Sequence, residues 1–283
     1  MFSLKIENAK GELFELTHDT QNYAIIGVQG LTPPAIAVNT STGGTLDGTF
    51  HNLSRVEQRN IVITIHLNGD IERNRQNLYK IFNLKKPCMI FFRNENRNVK
   101  IKGYVETLEG DLFENGETIQ ISIICPRPYF EDANTIYTEL SKILKMFQFP
   151  FALSQPEEMA SITDYPQCSV VNTGDVECGC VIDIEIDDAV TDLNIYNTTK
   201  QEYLSFAYEF AANDEVIIST ISGNMYAKLI RNGTEINLLN YIKRGSAWFK
   251  LEVGENIFTF SVTSGNVDSV SMQIRTSNLY GGV

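Results

Sequence analysis

Few side chains in this sequence could perform covalent or metal chemistry, and their spacing argues against it. The five cysteines, Cys88, Cys125, Cys168, Cys178 and Cys180, include no C-x-x-C pair. Cys178-Gly179-Cys180 could offer two thiolates to a metal. The three histidines, His18, His51 and His66, do not stand at zinc-ligand spacing to them. Such thiols read as small buried hydrophobes in a reducing compartment. Asp47 precedes His51 by four residues, so its carboxylate could orient an imidazole base. Both sit in "GTLDGTFHN", however, where Asp47-Gly48 is a common turn pair, and the turn is the favoured reading. The segment "IEIDDAVTDLN" gathers Glu185, Asp187, Asp188 and Asp192 without the spacing or glycine of a calcium loop. Alternation of Ile182, Ile184 and Ile186 with Asp183, Glu185 and Asp187 has a simpler cause, a half-buried strand with an acidic solvent face.

Motifs with a stronger mechanical meaning are missing. There is no G-x-S-x-G elbow, no G-x-x-x-x-G-K-[ST] loop, no G-x-G-x-x-G after a strand and no H-E-x-x-H. No two carboxylates stand out as a glycosidase pair. The expectation is therefore a protein that is not an enzyme, with no catalytic, cofactor-binding or metal-binding residues. One binding reading stays open. Tyr196, Tyr203, Phe206, Tyr208, Phe210, Tyr226, Tyr241 and Trp248 crowd the second half of the chain. Aromatics in small β domains mostly pack cores, yet exposed ones can stack sugars. A carbohydrate-binding module of a surface-recognition protein is the alternative to a structural role.

The 283 residues suit two domains, with 43% hydrophobic and 20% charged residues. The longest apolar runs, such as Phe147 to Leu153, are far shorter than the roughly 20 residues of a membrane-spanning helix. "MFSLKIENAK" lacks a basic n-region followed by an apolar run, so synthesis in a cytoplasm is expected. A net charge of −12 disfavours a nucleic-acid binder. It is compatible with a conduit along which DNA slides without being gripped.

The elements follow from periodicity. "FSLKIENAKGELFELT" alternates about Ala9-Lys10-Gly11, predicting a hairpin with Phe2, Leu4 and Ile6 inward, facing Leu13 or Phe14. Residues 22–52 are rich in Gly, Thr and Asn and contain Pro33-Pro34, predicting a strand followed by a long exposed loop or hairpin arm. "RNIVITIHLNG" predicts a strand with Ile61, Ile63, Ile65 and Leu67 on one face. Asp70 can cap a helix over "IERNRQNLYKIFNL", whose apolar stripe is Ile71, Leu78 and Phe82 with Arg75 between, and which Pro87 stops. Three strands follow in "PCMIFFRN" and "NVKIKGYVETLEGDLFENGETIQISIIC", with turns at Asn94–Asn98 and Asn115-Gly116. "CPRPYFEDAN" places a boundary near Phe130. "NTIYTELSKILKMF" predicts a short linker helix, its stripe Ile136, Leu140, Ile143, Leu144 and Phe147, and "QFPFALSQPEEMASITDYP" an extended connector. From Gln167 onward short strands recur, including a hairpin in "WFKLEVGENIFTFSV" about Gly254-Glu255-Asn256. The fold class expected is mainly β. Residues 1–130 form an α+β, sandwich- or barrel-like domain with one helix, 131–166 a linker, and 167–283 a jelly-roll sandwich.

The order of these pieces resembles a known family. An Asn-x-Gly-Asp turn, "ISTISGNMYA", "RNG", "LEVGEN" and a closing aromatic-Gly-Gly-Val are similar to the distal tail proteins of siphophages and related prophage tail components. In the first half "RNIVITIHLNG", "DIERNRQNLYKIFN", "KPCMIFF" and "CPRPYF" fall in that family's order. The resemblance implies a hexameric ring at the virion tail tip, formed by the N-terminal domain around the DNA channel and stacked on the major tail (tube) protein. It implies a galectin-like C-terminal sandwich pointing outward, towards the tail-associated lysin, tail-fibre and receptor-binding proteins and possible host cell-wall carbohydrate. No catalytic residues or cofactors are carried over.

Overall fold

The computed structural model describes residues 2–17, 21–44, 47–110, 117–134, 136–140 and 167–283. It divides into two compact units. The first comprises Met1–Asn134 with Leu279–Val283, and the second Thr135–Asn278.

The first unit is built from β1 (Ser3–Glu7), β2 (Leu13–Glu15), β3 (Tyr23–Gln29), β4 (Ile36–Ser41), β5 (Phe50–Val56), β6 (Arg59–Leu67), α1 (Ile71–Ile81), β7 (Pro87–Arg93), β8 (Asn98–Gly110), β9 (Thr118–Cys125) and β10 (Phe130–Asp132). Its main antiparallel sheet runs β2-β1-β7-β8-β9-β6-β3. The path is open, with β2 and β3 as its ends, so the barrel-like arrangement is not a closed barrel. The opening hairpin forms as the alternation predicts, with Ile6 opposite Phe14 and Gly11 at φ +81° in the turn. Leu4 and Ile6 are fully buried, whereas Phe2 is half exposed and only stacks beside Phe92. It precedes the paired residues, where the alternation no longer has a sheet to point into. Strand β6 buries Ile61, Ile63, Ile65 and Leu67 on one face, as the alternation predicts.

Asp70 caps α1 by accepting from Arg73 N at 3.2 Å. The helix buries Leu78 and Phe82 as predicted, and also Asn74, a polar residue the apolar stripe did not include. Asn74 Nδ2 donates to Asn68 O at 2.7 Å and to Asn22 Oδ1 at 3.3 Å, which ties the helix start to the ends of the flanking strands. The predicted turn at Asn115-Gly116 lies outside the described residues. The last residues of the chain return to this unit: Leu279–Tyr280 pairs antiparallel with β10, Phe130 opposite Tyr280.

The second unit contains β11 (Ile136–Leu140), β12 (Gln167–Asn172), β13 (Cys180–Ile186), β14 (Val190–Asn197), β15 (Glu202–Phe210), β16 (Asp214–Ser219), β17 (Tyr226–Arg231), β18 (Thr234–Asn237), β19 (Gly254–Ser264) and β20 (Val270–Thr276), before the closing strand β21 (Leu279–Tyr280). Two antiparallel sheets, β11-β20-β13-β16-β17-β18 and β12-β19-β14-β15, make a sandwich. Each buries alternate residues, among them Ile182, Ile184, Met272 and Ile274 in the first, and Leu193, Ile195, Phe258 and Phe260 in the second.

Two predictions change here. Ile136–Leu140 is a strand paired with β20 rather than the start of a helix; the rest of that predicted helix and the connector lie outside the described residues. The stretch 248–253 also fails to form a hairpin with β19. Asn256, fully buried, accepts from Glu252 N and donates to Glu252 O, curling the chain back. Leu251 then bridges Cys178, and β19 pairs with β12 and β14. Among the described residues no helix is long and apolar enough to cross a membrane.

Candidate assembly arm

The Gly/Thr/Asn-rich stretch 22–52 becomes a strand of the main sheet and then an arm. Strands β4 and β5 pair with each other, Ile36 opposite Val56 and Val38 opposite Ser54, and belong to no larger sheet. A bulge between Asn39 and Thr40 leaves Asn52 extra, where its Oδ1 accepts from Ser41 Oγ at 3.1 Å. At about 3.3 Å per residue, a seven-residue strand reaches roughly 23 Å. All of β4 is exposed, and so is β5 up to Val56.

Apolar side chains stand on both faces of this ribbon. Ile36 and Val38 lie on one face and Leu53 and Phe50 on the other, at 57%, 58%, 62% and 56% exposure. A two-stranded ribbon exposing four large apolar groups is marginal by itself. Fully burying such a side chain against a partner is worth about 1.5–3 kcal/mol each.

The base of the arm is held firmly. Arg59, 2% exposed, sends its guanidinium to the carbonyl oxygens of Pro128, Gly30, Thr32 and Gly281 and lies 4.4 Å from the centre of the Phe130 ring. Burial lowers its pKa, with the nearby Cys125 thiol acting the other way. Charge-assisted bonds to four carbonyls offset that desolvation. Gly30 at φ +84° must be glycine: a Cβ there would stand 2.0 Å from Asn60 O. Thus the strand before the arm, the chain that enters it and the terminal residues meet at one cation. Arg59, after Val56-Glu57-Gln58 and at the start of an isoleucine-rich strand, gives no sequence signal for this.

Among the described residues, which do not include His18, those with chemical potential are not assembled into a reactive centre. Asp47 sits in the arm's tip next to Gly48 at φ +94°, as a turn requires, and His51 Nε2 lies 2.7 Å from Ser54 Oγ. Cys178 and Cys180 are buried, their sulfurs 3.5 and 3.6 Å from Thr276 and Thr220 hydroxyls. Burial pushes the Cys180 thiol up to about 12 and that of Cys88 to about 11, so neither is a nucleophile at neutral pH. Of the acidic set, Asp192 accepts from Lys243 Nζ at 2.8 Å, which holds its carboxyl below the ordinary value. Glu185, Asp187 and Asp188 face solvent from and just after β13. No metal-holding group of three acidic, cysteine or histidine side chains occurs among the described residues.

Comparison with known proteins gives this geometry its context. Residues 173–275, all within the second unit, match the family described as siphovirus-type tail component, C-terminal domain. Over the whole chain the fold is similar to that of the SPP1 Dit (gp 19.1) protein, described as a paradigm of hub adsorption apparatus in phages infecting Gram-positive bacteria. There 14% of residues are identical, 99% of each chain is covered and the TM-score is 0.70. Chains of the phage p2 baseplate in its activated conformation are also similar: with Ca, 11% identity over 97% of this chain and 98% of that one; with Sr, 10% over 98% of each. Both have a TM-score of 0.55. No protein of curated function matches the chain. The resemblance to siphophage distal tail proteins drawn from the sequence is met in the second unit by the family match and over both units by the fold.

Proposed function

We propose that the protein is a structural component of a phage tail tip, a distal tail protein whose copies close into a hexameric ring between tail tube and adsorption apparatus and leave a channel for DNA. The observation that carries this reading is the β4–β5 arm, which presents apolar side chains on both faces and has a rigid base. A contact in which one copy's arm lies on the next copy repeats by rotation, and such a head-to-tail contact closes a ring when the angle fits. The two open ends of the main sheet, β2 and β3, supply further unpaired backbone for a neighbour. The tail neighbours, and the placement of the protein in the virion tail, follow from the same reading. It assigns no catalytic residue.

Mass measurement by light scattering, with electron microscopy of the purified protein, tests this. The expected result is particles of six copies with a central hole. Removing residues 40–49 should leave a folded monomer that no longer forms them. A wild-type protein that stays monomeric at high concentration, or rings of unchanged mass after the deletion, would count against the arm.

A further inference from the structure

The second unit holds a cleft. It has a volume of about 510 Å³ and is lined by, among others, Gln167, Tyr196, Gln201, Tyr203, Thr259 and Ser261. That size falls within the roughly 300–1,000 Å³ of small-ligand sites. Strand register explains how distant residues meet there. Gln167 pairs with Thr259, Thr259 with Tyr196, and Tyr196 with Tyr203, so one rung of side chains crosses all four strands β12, β19, β14 and β15 on a single face. The two tyrosine rings, both partly exposed, lie 6.3 Å apart at 45°.

Tyr203 is fixed from behind. Its carbonyl accepts from Ala247 N at 2.8 Å, and Gly245, at φ +92°, leaves room for its hydroxyl, which a Cβ would approach to 2.6 Å. Thr259 Oγ1, in the middle of the rung, is buried with no hydrogen-bond partner within the chain. An unsatisfied buried hydroxyl costs about 1–3 kcal/mol unless a ligand meets it. No lysine or arginine lines the cleft, and Glu202 adds a carboxylate, so an anionic polymer is disfavoured. What remains is aromatic faces flanked by amides and hydroxyls, complementary to a ligand with apolar C–H faces and a rim of neutral hydroxyls.

We propose that this cleft binds a neutral oligosaccharide, with pyranose faces laid on Tyr196 and Tyr203 and hydroxyls met by Gln167, Thr259 and Ser261. The site stands whether or not copies form a ring. Full-length protein is titrated with neutral trisaccharides of glucose, galactose, N-acetylglucosamine and rhamnose by calorimetry and saturation-transfer NMR. At least one should bind, and Tyr196→Ala and Tyr203→Ala should each weaken it about tenfold or more, close to 1.4 kcal/mol. Tyr196→Phe should keep most of the affinity, since it keeps the ring. Thr259→Val and Gln167→Ala, conservative for the fold, should weaken it several-fold and read the site even where an alanine at a tyrosine disturbs the sheet. The proposal is overturned if no trisaccharide saturates by about 10 mM, if binding survives both tyrosine-to-alanine changes, or if a glycerol-phosphate polymer binds in preference to the neutral sugars.

Discussion

Asp214 is fully buried, and its neighbours decide its charge. Burial alone pushes its carboxyl up, but Arg231 donates at 2.8 and 2.6 Å and Ala211 N at 2.8 Å, and the group ends below its ordinary 3.8. A depressed folded-state pKa means stability that is present above the unfolded value and lost as pH falls through the folded one. Thermal melts of the protein should therefore lose stability on acidification below the ordinary carboxylate range, and Asp214→Asn should flatten that part of the profile while lowering stability at neutral pH. An unchanged acid limb in the variant would show that other carboxylates carry it. The thiols act with the opposite sign. Cys125 and Cys180, both pushed up to about 12 from 9.0, favour the folded state below pH 9 and cease to do so as alkali ionises them. At this scale the sequence was partly legible. Asp70 was readable as a cap because a cap is local, three residues from the amide it holds. Arg59 was not, because its partners lie up to 222 residues away along the chain, and Asp214 was not, because its cation Arg231 stands 17 residues on, at the far end of the next strand.

Elements were legible where one face is buried and the period is clean. The isoleucines of β6 and β13 alternate over a single sheet face, so their strands and inward faces follow from spacing alone. Strand β11 was read as helix because Ile136 and Leu140 also satisfy a four-residue repeat; pairing with β20, far away in sequence, overrides it. The segment 248–253 alternates well enough for a hairpin, and one buried asparagine, Asn256, sends it elsewhere. The arm is legible for a compositional reason, since its Gly, Thr and Asn content and Pro33-Pro34 do not suit the interior of a sheet. Its exposure carries a prediction. Ile36 and Phe50 are both more than half exposed, so Ile36→Ser with Phe50→Ser should shift the monomer's melting by no more than about 0.5 kcal/mol. Assembly by the same light-scattering measurement should weaken by an order of magnitude or more. A large loss of monomer stability would mean that the ribbon packs against its own chain.

For the whole molecule, charge and connectivity are unevenly divided. Residues 1–134 hold fourteen Lys and Arg against sixteen Asp and Glu, a net of two negative charges, so ten of the chain's twelve lie beyond them. The acidity noted from the full sequence thus belongs mostly to the second unit. The terminal residues belong to the first unit as well. Tyr280 is largely buried, with the Arg97 guanidinium 4.5 Å from its ring centre, Arg97 also donates to Gly282 O, and Val283 N donates to Leu31 O at 3.1 Å. Deleting Leu279–Val283 takes away one of the two partner strands of β10, leaving β8, and one of the four acceptors of Arg59. A loss of about 2–5 kcal/mol is expected from the buried tyrosine and the charge-assisted bonds together. Hydrogen exchange should report it as faster exchange in β6 and β10, with β13 and β16 unaffected.

Phe130 and Tyr280 are cross-strand neighbours, so the chain departs from the first unit and rejoins it at adjacent points of one ladder. Everything from 135 to 278 is in effect a cassette spliced into a two-strand stem. Any domain whose own ends lie side by side could be exchanged at that stem, by recombination or by design, without altering a residue of the base that holds the arm.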